Sequence, residues 1–171
     1  MVQRPAAALA GVLFLVFAAA VAVQSGAFVG LFGPPSVSDG YGNATVTVAD
    51  ENGTELATVD VRIADTRAKR IVGLSETASL EPGQGMLFVH DRAGQYAYVM
   101  RNMSFPLDIV FAAPNGTITT VHHAAVEPDA SGGELTRYEG QGKYVLEVPR
   151  GYTNATGIAV GDELRLPEDV A

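Results

Sequence analysis

The sequence predicts a mainly β protein: a compact β-sandwich or open barrel with one or two short helices, preceded by one N-terminal membrane helix. Short runs of alternating apolar and polar residues recur at spacings of roughly 8 to 12 residues. Asn-Gly and Pro-Gly turn signals separate these runs, and the chain starts with a long apolar stretch. We therefore expect an anchor at 1–32, a Pro/Gly/Ser linker at 33–42 and a β domain at 43–167.

The N-terminal stretch has no polar side chain from Ala6 to Val23. About 20 apolar residues cross a bilayer as a helix, whereas the apolar part of a cleaved signal is nearer to about 7 to 15. We expect an uncleaved signal anchor, and a cleaved signal peptide is the alternative because small residues at 20–22 and 25–27 would suit cleavage. Arg4 is the only nearby cation and the next is Arg62. The positive-inside rule therefore predicts a single-pass protein of the cell membrane with an extracytoplasmic domain.

The charge balance is acidic, with 11 Lys and Arg against 19 Asp and Glu and a net charge of −8. Such a field repels phosphate backbones, so we expect no nucleic-acid partner. Cysteine is absent, which excludes disulfides and cysteine nucleophiles. The composition is typical of a salt-adapted, archaeal halophile-like host.

All the asparagines of the chain are followed by x-Ser or x-Thr. This is the acceptor pattern for N-glycosylation in exported proteins, and it agrees with an extracytoplasmic domain. Asn102 lies inside an apolar motif and is expected to stay unmodified. The candidate glycosylation sites are Asn43, Asn52, Asn115 and Asn154.

The domain begins with a predicted hairpin. Alternating runs at 44–50 and 55–63 are joined by Glu51-Asn52-Gly53-Thr54, in which Asn-Gly supplies the positive φ that a tight turn requires. The residues predicted to point inward are Val46, Val48, Val59, Val61 and Ile63.

A short helix and two further hairpins follow. Thr66 offers an N-cap and Gly73 a helix end. GMLFVH and QYAYVM predict a second hairpin around 91–94, and LDIVFA with TITTVH predicts a third around 114–116. KYVLEV is another predicted strand, 151–156 a helical turn, and ELRL the last strand.

Familiar catalytic and nucleotide-binding motifs are missing, and we expect no cofactor. His122 and His123 are adjacent in a predicted strand and point to opposite faces, so they cannot both bind one ion. The methionines beyond the initiator lie close together, and thioethers favour Cu(I). A copper site using Met86 and Met100 is therefore an alternative to core packing, provided that a loop at 91–95 sets the two residues opposite each other.

The segment from Met100 to Phe111, MRNMSFPLDIVF, places Arg101, Asn102 and Asp108 in a run otherwise apolar enough to be a buried strand. An unpaired buried polar group costs roughly 1 to 3 kcal/mol. We expect the three side chains to form one hydrogen-bonded cluster, with any ligand role secondary. A further alternative is a small hydrolase-like enzyme that uses Asp108 as general acid/base.

Five segments in this order resemble the domain of unknown function family 192 (DUF192): DTRAKRIVGL from Asp65, GQGMLFV, MRNMSFPLDIVF, KYVLEVPRGY and GIAVGDEL. The resemblance covers about Val59 to Leu166, and its most specific element is M-(R/K)-N-x-x-x-P-L-D. One departure is Ser75, where members often have methionine. The resemblance implies a compact, mostly β, exported or membrane-anchored domain with no established reaction.

From these residues and the resemblance, we expect a ligand- or partner-binding envelope module rather than an enzyme. Its ligand and any protein partner are unknown at this point. The candidate ligand-binding residues are Asp65, Arg70, Met100, Arg101, Asn102 and Asp108.

Overall fold

The computed structural model describes residues 40–130 and 132–170. Within these ranges the chain forms strands and short helices in a mixed order. The elements are β1 (Gly42–Ala49), β2 (Glu55–Ala64), α1 (Arg67–Val72), β3 (Gln84–Tyr98), β4 (Leu107–Ala112), β5 (Ile118–Ala124), a 3-10 turn (Gly132–Glu134), β6 (Tyr138–Pro149), α2 (Tyr152–Thr156) and β7 (Glu163–Arg165).

The strands of this domain form one curled sheet, a half-barrel, in the order β5-β4-β6-β3-β2-β1-β7. Neighbouring strands are antiparallel except β2 and β3, which are parallel because their connection crosses over through α1. The two edge strands approach each other at one end, where Thr117 forms a bridge with Glu163. The prediction of a mainly β fold with one or two short helices is confirmed. Of the two predicted architectures, a β-sandwich and an open barrel, the curled sheet matches the open barrel.

The enclosed face of the sheet carries the larger apolar core, to which every described strand contributes. All the residues predicted to point inward from the first hairpin are buried there. Its buried members are Val46, Val48, Ala57, Val59, Val61, Ile63, Leu87, Val110, Ala112, Ile118, Tyr144, Leu146, Val148, Ile158 and Leu164.

The opposite face carries a second apolar core, which includes Leu74 after α1 and Met100 after β3. Since side chains alternate along a strand, β4 sends Leu107, Ile109 and Phe111 to this face and its other residues to the enclosed one. Every residue of β4 is therefore buried. The remaining members of the second core are Ala64, Met86, Phe88, Ala124 and Val145.

The predicted hairpin around 91–94 is wrong, because β3 runs unbroken from Gln84 to Tyr98. Both halves of β3 pair with β6, on either side of an irregularity between Val89 and Gly94. The long strand β6 takes the place of the local partner that a hairpin would need. Met86 consequently lies opposite Arg62 on β2 and Glu147 on β6, rather than opposite Met100.

The other local predictions agree with the structure. β1 with β2 and β4 with β5 are the first and third hairpins, and α2 and β7 form where the sequence places them. Thr66 caps α1 by accepting from the Lys69 amide, and Gly73 ends the helix. The strand expected from Met100 onward begins only at Leu107, directly after Pro106, which has no N–H for the ladder.

None of the helices formed by residues 40–130 and 132–170 has the length and apolar character needed to span a bilayer. The expected membrane helix and most of the expected linker lie outside the described residues.

Candidate functional site

Asp108 lies on the enclosed face of β4 with no exposed surface. Its Oδ1 atom is 2.6 Å from His123 Nδ1 on the neighbouring strand β5. Its Oδ2 atom accepts from the backbone amides of Gly151 and Thr153, each at 3.0 Å, and from the Thr153 hydroxyl at 2.7 Å. The carboxylate therefore binds the first turn of α2 to the sheet.

The expected cluster of Asp108 with Arg101 and Asn102 is wrong. Burial by itself would raise the pKa of Asp108, but the hydrogen bonds from His123, Thr153 and Gly151 lower it overall. An ionised carboxylate that accepts hydrogen bonds at both oxygens is poorly suited to general acid/base work. The geometry gives Asp108 a structural role and argues against the hydrolase alternative.

Four of the other predicted site residues line one cleft on the opposite face of the sheet: Arg70, Met100, Arg101 and Asn102. The cleft has a volume of about 500 Å³ and lies between the end of α1, the second half of β3 and the loop after it. Its walls include the apolar side chains of Leu74, Phe88, Met103 and Leu107. An apolar hollow of this size with a few polar groups is the usual form of a small-molecule site.

Glu147 lines this cleft from β6 and is the polar residue that sequence reasoning missed. It is 6% exposed, and it forms no ion pair with another residue of 40–130 and 132–170. Its strand neighbours on the same face are Met86 and Ile109, both fully buried. Burial raises the pKa of Glu147 to about 8, so the group is mostly protonated at neutral pH.

Aromatic side chains from the second half of β3 form one wall of the cleft. The ring of His90 stacks on Tyr96 at a centroid distance of 3.5 Å, and His90 Nε2 is 3.0 Å from the Tyr98 hydroxyl. Burial, with the charge of Arg70, lowers the pKa of His90 to about 4. Burial also raises the pKa of Tyr98, and the nearby Glu147 adds to that rise. Both groups are neutral at physiological pH.

Arg70 is held at the rim of the cleft by backbone groups. Its Nη1 atom donates to the carbonyls of Asp65 at 2.8 Å and Val89 at 2.7 Å, while its Nη2 atom is 3.9 Å from Asp91. The Asp65 carboxylate instead pairs with Lys69 at 2.7 Å. Asp65 thus positions α1 and Arg70, and the structure does not bring its carboxylate into the cleft.

Asn102 forms part of the turn after β3 with φ of 57°, a left-handed conformation that asparagine tolerates better than most residues. Its side chain is exposed, as is that of Arg101. Exposure removes the reason for expecting Asn102 to escape glycosylation. The four candidate glycosylation sites are exposed as well: Asn43, Asn52, Asn115 and Asn154.

The copper alternative finds little geometric support. Met100 lines the cleft, whereas Met86 is fully buried in the sheet and does not. Among the described residues, no three His, Cys, Asp or Glu side chains are grouped closely enough to bind a metal ion.

A second hollow of about 530 Å³ lies between β1, β2 and the segment at 77–80. Its polar side chains pair with one another: Arg62 donates to Thr77 and Thr45 to Asp60. We regard the cleft at Glu147 as the candidate site, because it gathers four of the predicted site residues around a buried carboxyl group that forms no ion pair with another described residue.

The fold is that of a small half-barrel β domain with a cleft on one face of its sheet. The chain belongs to the DUF192 family, described as "Uncharacterized ACR", whose model matches residues 47–166. This match confirms the domain that the sequence motifs indicated.

The solved structures that are similar to this chain include the two that follow. One, a candidate transcription regulator from Sinorhizobium meliloti 1021, is 28% identical with a TM-score of 0.66, covering 74% of this chain and 95% of that one. The other, a protein of unknown function from Novosphingobium aromaticivorans DSM 12444, is 24% identical with a TM-score of 0.62, covering 78% and 99%. No curated protein matches the sequence.

Proposed function

We propose that this protein is a membrane-tethered, extracytoplasmic binding module whose DUF192 domain holds a small molecule in the cleft at Glu147. The observation that carries the proposal is Glu147 itself, a buried carboxyl group that lines the cleft and forms no ion pair with another described residue. A buried polar group without a partner costs stability. A bound ligand that pairs with Glu147 would offset that cost.

The make-up of the cleft supports a binding role. His90, Tyr98 and Arg70 are held by contacts within the protein, so a ligand meets a largely preformed site. The apolar walls would bury the apolar part of a bound ligand, and the few polar groups would orient the ligand by hydrogen bonding.

The location rests on the sequence. The apolar stretch before the domain is long enough to serve as an anchor, and the N-glycosylation motifs have exposed asparagines at the four candidate positions. We do not extend the regulator description of the Sinorhizobium protein to this chain, because a net charge of −8 opposes binding to nucleic acid.

A ligand screen tests the proposal. The full chain is purified in detergent, and its Tm is measured against a panel of small amines, carboxylates, sugars and nucleosides. We expect a subset of chemically related compounds to raise the Tm of the wild type and not that of Glu147→Gln. Glu139→Gln is the matched control, since Glu139 lies on the same strand and is exposed.

Compounds that stabilise the wild type and Glu147→Gln equally would place binding elsewhere. A panel without any Glu147-dependent compound would overturn the binding role of the cleft.

A further inference from the structure

We infer that the cleft recognises an organic ammonium group, a primary or methylated amine of a small molecule, with Glu147 as its counter-ion and the aromatic side chains of β3 as its walls. The inference rests on the binding function proposed above and adds the chemical class of the ligand.

The first argument is the absence of a cation beside Glu147 in the described domain. Its neighbours on the sheet are Met86 and Ile109. The nearest basic side chain along that row is Arg62, two strands and about 10 Å away, and it is engaged by Thr77. Burial is the sole cause of the raised pKa of Glu147, with no opposing positive charge. Arg70 and Arg101 also line the cleft, but Arg70 donates to the carbonyls of Asp65 and Val89. Among the described residues, neither arginine forms an ion pair with Glu147.

The second argument is the aromatic wall. Tyr98 lies close enough to Glu147 for the carboxylate to affect its hydroxyl, and Phe88 packs edge-to-face against Tyr98 at a centroid distance of 5.0 Å. Ammonium groups bind favourably to the faces of aromatic rings, more strongly where water is excluded. A carboxylate beside aromatic rings therefore suits an organic cation.

Inorganic cations fit this site less well. Calcium requires about six to eight oxygen ligands, and magnesium requires an octahedral set. Apart from Arg70, Arg101 and Asn102, the cleft offers Glu147 among mainly thioether, aromatic and aliphatic side chains, so it supplies one carboxyl group rather than a set of oxygen ligands. An alkylammonium ion, which needs one counter-ion and an apolar surround, matches these groups.

Proton release is the distinctive consequence. A cation binds the ionised form of Glu147, whereas the free cleft at neutral pH holds mostly the protonated form. The affinity for the cation should therefore increase about tenfold for each unit by which pH is raised toward 8, and it should level off above pH 8. His90 and Tyr98, which also face the cleft, stay neutral over this range. The cationic groups in the lining are Arg70 and Arg101.

Isothermal titration of the full chain with tetramethylammonium and with butylammonium tests the inference. Tetramethylammonium has no titratable proton, so any proton released comes from the protein. We expect a roughly tenfold lower Kd at pH 7 than at pH 6, and release of nearly one proton per ligand at pH 6.5, measured in two buffers of different ionisation enthalpy. Glu147→Gln should abolish binding, and Glu139→Gln should retain it.

Butyrate and butanol serve as ligands of matched size, and Na⁺, Ca²⁺ and Mg²⁺ as inorganic cations. If a carboxylate, an alcohol or a metal ion binds in a Glu147-dependent way and the ammonium ions do not, the ammonium inference fails while the binding function stands. A pH-independent Kd for tetramethylammonium also overturns the inference, without recourse to any variant. If no compound shows Glu147-dependent binding, both proposals fail.

Discussion

Two buried acids of this domain differ in what surrounds them, and their chemistry differs accordingly. Asp108 accepts hydrogen bonds from His123, Gly151 and Thr153 and is held ionised. Glu147 lies among apolar side chains and is held protonated near neutrality. The same functional group therefore has a structural role in one place and a candidate binding role in the other.

Asp108→Asn should lower the free energy of unfolding by about 1 to 3 kcal/mol at pH 7, because one carboxylate oxygen that accepts hydrogen bonds becomes an NH₂ group that cannot accept them. In the folded protein the pKa of Asp108 lies below the ordinary value of 3.8. Ionised Asp108 therefore stabilises the fold at pH values above 3.8, and this stabilisation is lost as pH falls through the folded pKa. Urea unfolding at pH 7 and below pH 4 checks this, with the exposed Asp60→Asn as control. An Asp108→Asn protein as stable as the wild type would contradict the anchoring role.

Glu147→Gln should have the opposite effect on stability. The folded pKa of about 8 lies above the ordinary value of 4.5, so the contribution of Glu147 is fully present below pH 4.5 and is lost as pH rises through 8. The free energy of unfolding of the variant should exceed that of the wild type by on the order of 2 to 4 kcal/mol at pH 8.5 and by much less at pH 4.5. Parallel stability curves for the two proteins between these pH values would show that Glu147 is not buried as an acid.

At the scale of elements, β6 organises the domain. It pairs with β3 on one side and β4 on the other, and both its faces contact apolar cores. The same strand carries Glu147 to the floor of the cleft. The strand β6 thus replaces the hairpin partner that was expected for β3. It also contributes Glu147 to the candidate site.

Gly140 of β6 is expected to tolerate no side chain. A Cβ atom there would overlap the ring of Phe111, which is fully buried and has no room to move aside. Gly140→Ala should lower stability by roughly 1 to 3 kcal/mol, as measured by the midpoint of urea unfolding. Gly133→Ala is the control, because a Cβ atom at Gly133 meets nothing within 4 Å; equal effects of the two changes would contradict the packing argument.

At the scale of the whole molecule, an acidic domain follows a long apolar segment that carries only Arg4 nearby. The acidic surface favours solubility of the domain and works against phosphate-bearing partners. The apolar segment favours attachment to a membrane. Both properties agree with the proposal that the domain is displayed from a bilayer.

The full chain should remain with the membrane fraction after a high-salt wash, because an apolar anchor does not depend on charge. Protease added outside intact cells should digest the domain, as the positive-inside rule places it there. Immunoblotting of the fractions provides the measurement. A soluble form beginning near Gln24 or Phe28 would show instead that the segment is a cleaved signal.

The sequence alone determined the features that depend on neighbouring residues. Alternation located most strands and identified the inward side chains of the first hairpin. Asn-Gly and Pro-Asn-Gly placed two hairpins, and Thr66 with Gly73 bounded α1. The motifs also identified the family over most of the described domain. These signals are local because turn geometry and side-chain period are set within a few residues.

Tertiary structure alone decided which residues meet. Asp108 has partners 43 and 45 residues further along the chain, and alternation reveals the face of a side chain but not the strand that lies beside it. In the same way, the sequence showed Glu147 as one acid in an alternating strand, and only the pairing of β6 between β3 and β4 buries it against Met86 and Ile109. Hydrogen bonding and desolvation depend on those distant neighbours, and for that reason the roles of the two acids could not be predicted from their local sequence.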